Sequence, residues 1–444
     1  MRLHFLGANR QVTGSSYVLE AAGRRIMIDC GLFQERRYRE RNAAAWRFPP
    51  ASLDAVILTH AHLDHCGLLP RLVKEGFAGR IITHRATAEL ARLVMEDSGR
   101  LQERQADAPR DDPRNDDPRE DYLDREPLYT EADARDAGRL FDTLGYDTDF
   151  TVADGIEGTL HEAGHILGSA SIELRVRENG SVKTVVFSGD LGSFGKPIIR
   201  DPSPPPRADV LILESTYGAA AHSPDAAIFT DADQPSPRDE AIEDELDRII
   251  RDTHRRGGKL IIPTFAIERA QEVLYYLARL RDAKRFTNIP VFLDSPLGVE
   301  ATRIFRSYIN LFDPQAMEEL RADGKVMGFT GLRLCNDRQA SLAINEVPGT
   351  AIILAGSGMC TGGRVLHHLV RHIDESDSTV LFVGYQSQDT LGRDILEGRS
   401  PVRIMDATKT VRARIGRLTR LSGHADQPAI VRWLGGFERP PARV

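Results

Sequence analysis

The segment that most constrains this chain is His60–His65 (HAHLDH), which directly follows the apolar run Ala55–Thr59 (AVILT). That run has the length and β-branched content of a buried strand. Imidazole and carboxylate groups are good zinc ligands, and a loop at a strand end lets alternate residues converge from one side. A single buried histidine is usually a core residue, but four ligand-type side chains within one short segment predict a metal site.

Further ligands are expected elsewhere, because one zinc takes about four. Two later segments have the same architecture, in which a buried strand delivers one ligand-type residue at its end. His165 lies in a glycine-punctuated segment, and Asp190 follows an apolar strand beside a glycine. The two oxygens of Asp190 are suited to bridging two metals, which two-metal hydrolases hold about 3.5–4 Å apart.

The pattern of helices and strands changes along the chain. Short strands dominate the first ~200 residues, which predicts stacked sheets carrying outer helices. From about Ala241 helices and strands alternate, which is typical of a parallel α/β sheet. Ala106–Asp124 and His222–Pro237 are rich in polar residues and proline, and we expect solvated or disordered surface loops there.

Composition narrows the function classes. The chain has 444 residues and a net charge of -7. This charge argues against a protein coated with positive charge for non-specific nucleic-acid binding, but not against a nuclease with a local positive groove or metals. The four cysteines form no C-x-x-C pair, and neither a signal peptide nor an apolar run of ~18 residues is present. We therefore expect a cytoplasmic protein without a membrane span.

The pattern H-x-H-x-D-H at His60–His65, with the later His165 and Asp190, resembles the hallmark of the metallo-β-lactamase superfamily. The resemblance implies an αββα sandwich and two Zn²⁺ per chain. It also implies that Asp29 orients the site without binding metal. The implied ligands are His60, His62 and His165 for one zinc, Asp64 and His65 for the other, and Asp190 for both.

The chain continues past Asp190 to Glu214, then into the α/β part, and returns with Ser422-Gly423-His424. This arrangement resembles the β-CASP nucleases, the branch that contains the mRNA 3′-end cleavage factor and bacterial ribonucleases. The segments PTFAIERAQE, LDSPL and GSGMCTGGR support it. The resemblance implies an α/β fold in which residues 1–215 and 405–444 form the metallo-β-lactamase domain and residues 216–404 an inserted β-CASP domain.

In that family Glu214 would be motif A and His424 motif B. Zinc makes hydroxide available near neutral pH to attack phosphorus, and a histidine can protonate the leaving 3′-oxygen. The resemblance thus implies Asp64, Glu214 and His424 as catalytic residues. The predicted substrate contacts are Arg269, Arg364, Arg393 and Ser422.

We expect a zinc-dependent ribonuclease acting on single-stranded RNA, forming a homodimer through the β-CASP domain. A DNA 5′-exonuclease, a small-molecule metallo-hydrolase and a catalytically impaired scaffold are the alternatives. The family's motif C histidine, some twenty residues beyond His424, has no counterpart before Val444. Either the sequence is a truncated form, or water or a partner chain completes the second zinc site.

Overall fold

The computed structural model describes residues 1–107, 126–221, 237–323, 327–418 and 421–444. Nearly all of the two predicted surface loops, Ala106–Asp124 and His222–Pro237, lies outside these residues. The chain forms two compact units. The first unit contains the described residues up to Ala220 together with His424–Val444, and the second contains those from Ala221 to Gly423.

Two sheets form the centre of the first unit. The strands of one sheet are β1 (Arg2–Phe5), β2 (Tyr17–Ala21), β3 (Arg24–Ile28), β4 (Ala55–Ile57), β5 (Arg80–His84) and β6 (Phe141–Leu144), in that spatial order. The strands of the other sheet are β7 (Phe150–Ala153), β8 (Ile156–Glu162), β9 (Ala170–Glu178), β10 (Ser181–Phe187) and β11 (Val210–Ile212). The second sheet has the order β11-β10-β9-β8-β7.

One apolar core joins these two sheets. It contains Ile28 and Ile57 from the first sheet and Leu160, Ile172 and Phe187 from the second. Each such side chain contributes about 1.5–3 kcal/mol when it is fully buried. The strand β4 is buried throughout and lies between parallel neighbours β3 and β5, so its apolar sequence suits a central position.

Four helices of this unit follow in chain order. Their bounds are α1 (Leu63–Cys66), α2 (Leu69–Lys74), α3 (Arg85–Ala106) and α4 (Glu131–Gly138). The long α3 begins where the imidazole of His84 accepts a hydrogen bond from the Ala86 N–H, which satisfies a donor that the first turn leaves unpaired. The helix α4 begins with a capping box between Thr130 and Asp133.

The second unit is built on a six-stranded parallel sheet. Its helices are α5 (Pro237–Arg256), α6 (Arg269–Asp282), α7 (Pro296–Ser307), α8 (Pro314–Asp323), α9 (Arg338–Ala343), α10 (Arg364–His372) and α11 (Leu391–Leu396). Its strands are β12 (Leu260–Pro263), β13 (Val291–Asp294), β14 (Leu332–Leu334), β15 (Ile352–Ala355), β16 (Thr379–Phe382), β17 (Val402–Ile404), β18 (Ala407–Lys409) and β19 (Arg414–Arg417). The sheet order is β14-β13-β15-β12-β16-β19, and β17 pairs with β18 in a separate hairpin.

The end of the second unit differs from the expected domain boundary at residues 404/405. The edge strand β19 pairs in parallel with β16, which keeps the chain in the second unit up to Gly423. The last helix, α12 (Gln427–Gly435), belongs to the first unit. It packs Ile430 and Trp433 against Val186 and Leu211.

The α/β fold class is confirmed. Val186 and its strand neighbours Val185 and Phe187 belong to different apolar clusters, because successive side chains of a strand point to opposite faces. The second sheet therefore carries α12 on the face opposite the first sheet, as an αββα sandwich requires. Among the described residues, no helix is both long enough and apolar enough to cross a membrane.

Candidate metal centre

Strand ends deliver the predicted ligands to one place in the first unit. His60 follows β4, His165 lies in the turn between β8 and β9, and Asp190 follows β10. A further strand, β11, is followed by Glu214. Because β10 and β11 are parallel neighbours, their carboxyl ends emerge side by side and bring Asp190 and Glu214 to the same edge.

The carboxylate of Asp190 lies at the centre of a ring of imidazoles. Its Oδ2 atom is 3.4 Å from His65 Nε2, 3.6 Å from His60 Nε2, 3.7 Å from His165 Nε2 and 3.8 Å from His424 Nδ1. Ligand atoms around a tetrahedral zinc, each about 2.0–2.1 Å from the ion, lie roughly 3.3 Å from one another. The spacing around Asp190 thus fits metal ligands.

His62 completes the first group of ligands. Its Nδ1 atom is 3.0 Å from His60 Nε2 and 3.2 Å from His165 Nε2. The ligand atoms of His60, His62, His165 and Asp190 all lie within 4.8 Å of one another. Three imidazole nitrogens and a carboxylate oxygen form a donor set that zinc prefers, so the residues present fit this ion.

The protonation of these histidines also suits metal binding. Burial lowers the pKa of His62 to about 3. Burial likewise holds the pKa values of His60 and His165 well below their usual value, and the neighbouring imidazoles lower them further. All three are therefore neutral at physiological pH, which leaves a lone pair for a metal.

His65 contacts the same oxygen of Asp190, and its ring centroid lies 4.0 Å from that of His60. Its Nε2 atom is 3.4 Å from Asp190 Oδ2 and 3.9 Å from Asp64 Oδ2. Burial lowers the pKa of His65, but the carboxylates of Asp190 and Asp29 outweigh burial and hold the pKa well above its usual value. Burial also raises the pKa of Asp64. The distances to Asp190 and between the two side chains place His65 and Asp64 where a second ion would share Asp190 with the first.

Asp29 fixes the orientation of His65. Its Oδ2 atom is 2.7 Å from His65 Nδ1. The Thr59 N–H donates to Asp29 Oδ1 at 2.8 Å, and the Thr59 hydroxyl donates to Oδ2 at 2.9 Å. A carboxylate held in this way sets the ring tautomer that leaves Nε2 facing the other ligands. Thr59, at the end of the apolar run AVILT, was missing from the sequence-based prediction.

Glu214 and His424 form a pair beside Asp190. The two carboxylate oxygens of Glu214 lie 3.3 and 3.4 Å from His424 Nδ1, and Oε1 accepts a hydrogen bond from the Leu191 N–H at 2.6 Å. Burial lowers the pKa of His424, but Glu214 and Asp190 outweigh it and raise the pKa to about 9. The ligand atoms of Asp190, Glu214 and His424 also lie within 4.8 Å of one another.

Two other polar side chains near these ligands have different roles. His161, two residues past the middle of β8, contacts Asp147 at 2.9 Å and Glu173 at 3.3 Å, so its ring nitrogens are engaged outside the centre. Lys196 is 4% exposed, and its Nζ donates to the His165 carbonyl at 2.8 Å. This lysine supports the loop that carries His165, and no sequence motif marked it.

The three arginines predicted to contact phosphate already have partners inside the second unit. Arg269 is 7% exposed and pairs with Glu272. Arg364 pairs with Asp294 at 2.7 Å and Arg393 with Glu397 at 2.6 Å. The structure therefore does not support Arg269 as a phosphate contact, because its guanidinium is buried and neutralised. Ser422 is half-buried.

The known protein families match both parts of the chain. Residues 9–233 match the family model of the metallo-beta-lactamase superfamily, and residues 270–395 match that of the Beta-Casp domain. The fold also resembles a crystal structure of a protein of unknown function from Enterococcus faecalis. That likeness has a TM-score of 0.51 and 12% identity, and it covers 99% of this chain and 93% of the other.

Similar sequences extend over the whole chain. The chain is 35% identical to "Ribonuclease TTHA0252" of Thermus thermophilus, covering 99% of this chain and 92% of that protein. It is 29% identical to "Transcription termination factor FttA" of Methanocaldococcus jannaschii, covering 100% of this chain and 66% of that protein. An "RNase J-like protein" of the same organism is 28% identical, and the match covers 100% of this chain and 91% of that protein. The chain therefore belongs to the metallo-β-lactamase superfamily, in its β-CASP branch.

Proposed function

We propose that this protein is a zinc-dependent ribonuclease that hydrolyses phosphodiester bonds of single-stranded RNA. The convergence of four histidines on Asp190, with Glu214 beside His424, is the observation that carries the proposal. The names of two similar proteins, which describe ribonucleases, support RNA as the substrate. All four cysteines are free and buried, which favours a reducing compartment such as the cytoplasm.

Two ions would share this centre. His60, His62 and His165 would hold one ion and Asp64 and His65 the other, with Asp190 between them. When bound, zinc lowers the pKa of water to near 7 and stabilises negative charge on phosphoryl oxygens. The low pKa of His62 keeps that ligand neutral, and Asp29 holds the His65 ring in place.

Glu214 and His424 would provide the proton that the leaving group needs. A cleaved phosphodiester releases a 3′-oxygen, whose departure is faster when an acid protonates it. His424, with a pKa raised to about 9 by Glu214 and Asp190, carries a proton at neutral pH. Glu214 lies against the Nδ1 edge of this imidazole, and His424 would protonate the leaving oxygen. Dimerisation through the second unit stays a prediction.

The test compares end-labelled single-stranded RNA with a DNA strand of the same sequence, using purified protein of measured zinc content. The control is the double variant His62→Ala, Asp64→Ala. We expect cleavage of RNA that the control lacks, and the product lengths give the exonucleolytic or endonucleolytic mode. Cleavage of DNA alone would favour the 5′-exonuclease alternative. No cleavage of either strand with two zinc ions bound would contradict the proposal.

A further inference from the structure

Two exposed aromatic side chains lie at one edge of the sheet of the second unit. Phe265 follows β12 and is 38% exposed, and Tyr385 follows β16 and is 51% exposed. The strands β12 and β16 are parallel neighbours, so both loops leave the sheet side by side at its carboxyl edge. Open parallel sheets bind ligands at this edge.

The ring of Phe265 is held by the backbone of two neighbouring loops. A Cβ atom at Gly358 would lie 2.8 Å from Phe265 Cδ2, and one at Gly384 would lie 3.2 Å from Cε2. Any larger residue at Gly358 would displace the ring. Two glycines thus let one ring edge lie directly on main chain, while the rest of the side chain stays open to solvent.

A buried glutamine joins the loop that carries Tyr385 to the loop after β15, whose Gly358 contacts the Phe265 ring. Gln386 is 2% exposed, and its Nε2 donates to the carbonyls of Gly358 at 2.9 Å and Gly384 at 3.2 Å. The same nitrogen lies 3.1 Å from the Tyr385 carbonyl. These bonds fix the backbone at Tyr385 and the two glycines that the Phe265 ring contacts, so little conformational entropy is lost when a ligand binds there.

The exposed aromatic rings suit this edge to a flat ligand, and three arginines near them are already paired. Each of the helices α6, α10 and α11 has an arginine in its first turn, and these arginines pair with carboxylates. Exposed aromatic rings held rigidly are the surfaces on which unpaired bases of single-stranded nucleic acids stack. Bases of a duplex have both faces covered by their neighbours, so they cannot stack in this way.

We propose that Phe265 and Tyr385 form a stacking platform for an unpaired base of the RNA strand. The platform rests on the proposed function for its ligand, and it adds the means by which the second unit distinguishes single strands from duplexes. Its contribution comes from stacking and not from charge. It therefore depends on the bases of the strand and is insensitive to salt, unlike a contact between arginine and phosphate.

The test measures binding of a fluorescent, unstructured RNA oligonucleotide by anisotropy over a range of salt concentrations. The full-length Asp64→Ala chain serves as the background, so that cleavage does not consume the probe. Phe265→Leu and Tyr385→Leu should each raise Kd about tenfold without changing the slope of log Kd against log salt. Phe265→Tyr and Tyr385→Phe keep an aromatic ring and should bind within about twofold of the background protein.

A strand of abasic ribose phosphates is the matched ligand control. The background protein should bind it more weakly than RNA, and the leucine variants should show no further loss, because the stacking partner is already absent. Unchanged RNA binding by the leucine variants would overturn the platform, as would no RNA binding by the background protein. A lower slope of log Kd against log salt in these variants would also overturn it. So would a loss of affinity for the abasic strand equal to that for RNA.

Cleavage assays separate this inference from the proposed function. RNA cleavage by the wild type, with normal binding by the leucine variants, would overturn the platform and leave the ribonuclease proposal standing. The leucine variants could instead lose base-dependent binding while the zinc-loaded wild type cleaves no RNA. That result would support the platform and contradict the ribonuclease proposal.

Discussion

The polar side chains of the candidate metal centre in the first unit are arranged differently from those at the carboxyl edge of the sheet in the second unit. In the metal centre, the neutral rings of His60, His62 and His165 turn their nitrogens toward one another and toward Asp190. At the edge of the second sheet, Arg269, Arg364 and Arg393 each pair with a carboxylate. Nitrogen lone pairs that converge indicate a site for a cation. Ion pairs between arginine and carboxylate indicate instead side chains that stabilise the fold.

Asp294 is an example of a charged side chain of the second unit whose partners all lie within that unit. This carboxylate is fully buried at the end of β13. It accepts hydrogen bonds from Arg364 at 2.7 Å and from the Ser341 hydroxyl at 2.6 Å, and it lies 2.8 Å from His368 Nε2. Three partners from two helices, α9 and α10, thus satisfy one carboxylate. Ligand binding at this edge would therefore depend on the exposed aromatic rings and not on these charges.

The largest expected effect comes from removing the shared carboxylate of the metal centre. Asp190→Ala should reduce RNA cleavage by about 10⁴-fold or more, because both ions lose a ligand. Metal content after dialysis, measured by mass spectrometry, should fall with activity. The matched control is Asp147→Ala, which removes an exposed carboxylate that contacts His161 in the same unit and should keep zinc and activity. Full activity of Asp190→Ala would contradict the assignment.

The next effect separates proton donation from metal binding. His424→Gln should lower kcat by about 10²- to 10⁴-fold, because the leaving 3′-oxygen loses its acid, while zinc content stays that of the wild type. His161→Gln is the control, since that imidazole binds Asp147 and Glu173. Loss of zinc from His424→Gln would show instead that Asp190, Glu214 and His424 hold an ion, as their spacing also permits.

A third effect tests whether Arg364 holds the fold of the second unit. Arg364→Ala leaves the buried Asp294 without its cationic partner and should reduce the free energy of unfolding by about 3 kcal/mol, measured by urea denaturation. Zinc content should stay unchanged, because Arg364 and the metal ligands belong to different units. A stability equal to that of the wild type, with weaker RNA binding, would restore the predicted phosphate contact.

The smallest effect is expected at Arg393. This arginine pairs with Glu397 one helical turn away, and its side chain is 30% exposed, so Arg393→Ala should change stability by at most about 0.5 kcal/mol. RNA affinity should change less than twofold at any salt concentration. A contact with phosphate would instead lower the slope of log Kd against log salt by about one.

The sequence could predict which side chains converge at the candidate metal centre, because their chemistry is a property of single residues. Histidine and aspartate at strand ends have few structural uses together, so the segment His60–His65 already indicated a cation. Alternation of apolar strands and helices likewise predicted the parallel sheet of the second unit, and its central strands β12, β13, β15 and β16 are buried as expected.

The contacts of the arginines and the exposed rings could not be predicted in this way. Arg364 finds Asp294 across 70 residues of chain, and only tertiary structure shows that the two meet. Phe265 has an apolar side chain of the kind found in cores, and only the structure shows that it is exposed and lies against Gly358 and Gly384. The pairing of β19 with β16, which groups residues 405–423 with the second unit, could not be predicted for the same reason.

Anomalous scattering from crystals at the zinc absorption edge tests directly whether two metal ions share Asp190. We expect two peaks, one among His60, His62 and His165 and one beside Asp64 and His65, with Asp190 between them. A single peak held by Asp190, Glu214 and His424, or no peak in zinc-loaded crystals, would contradict it.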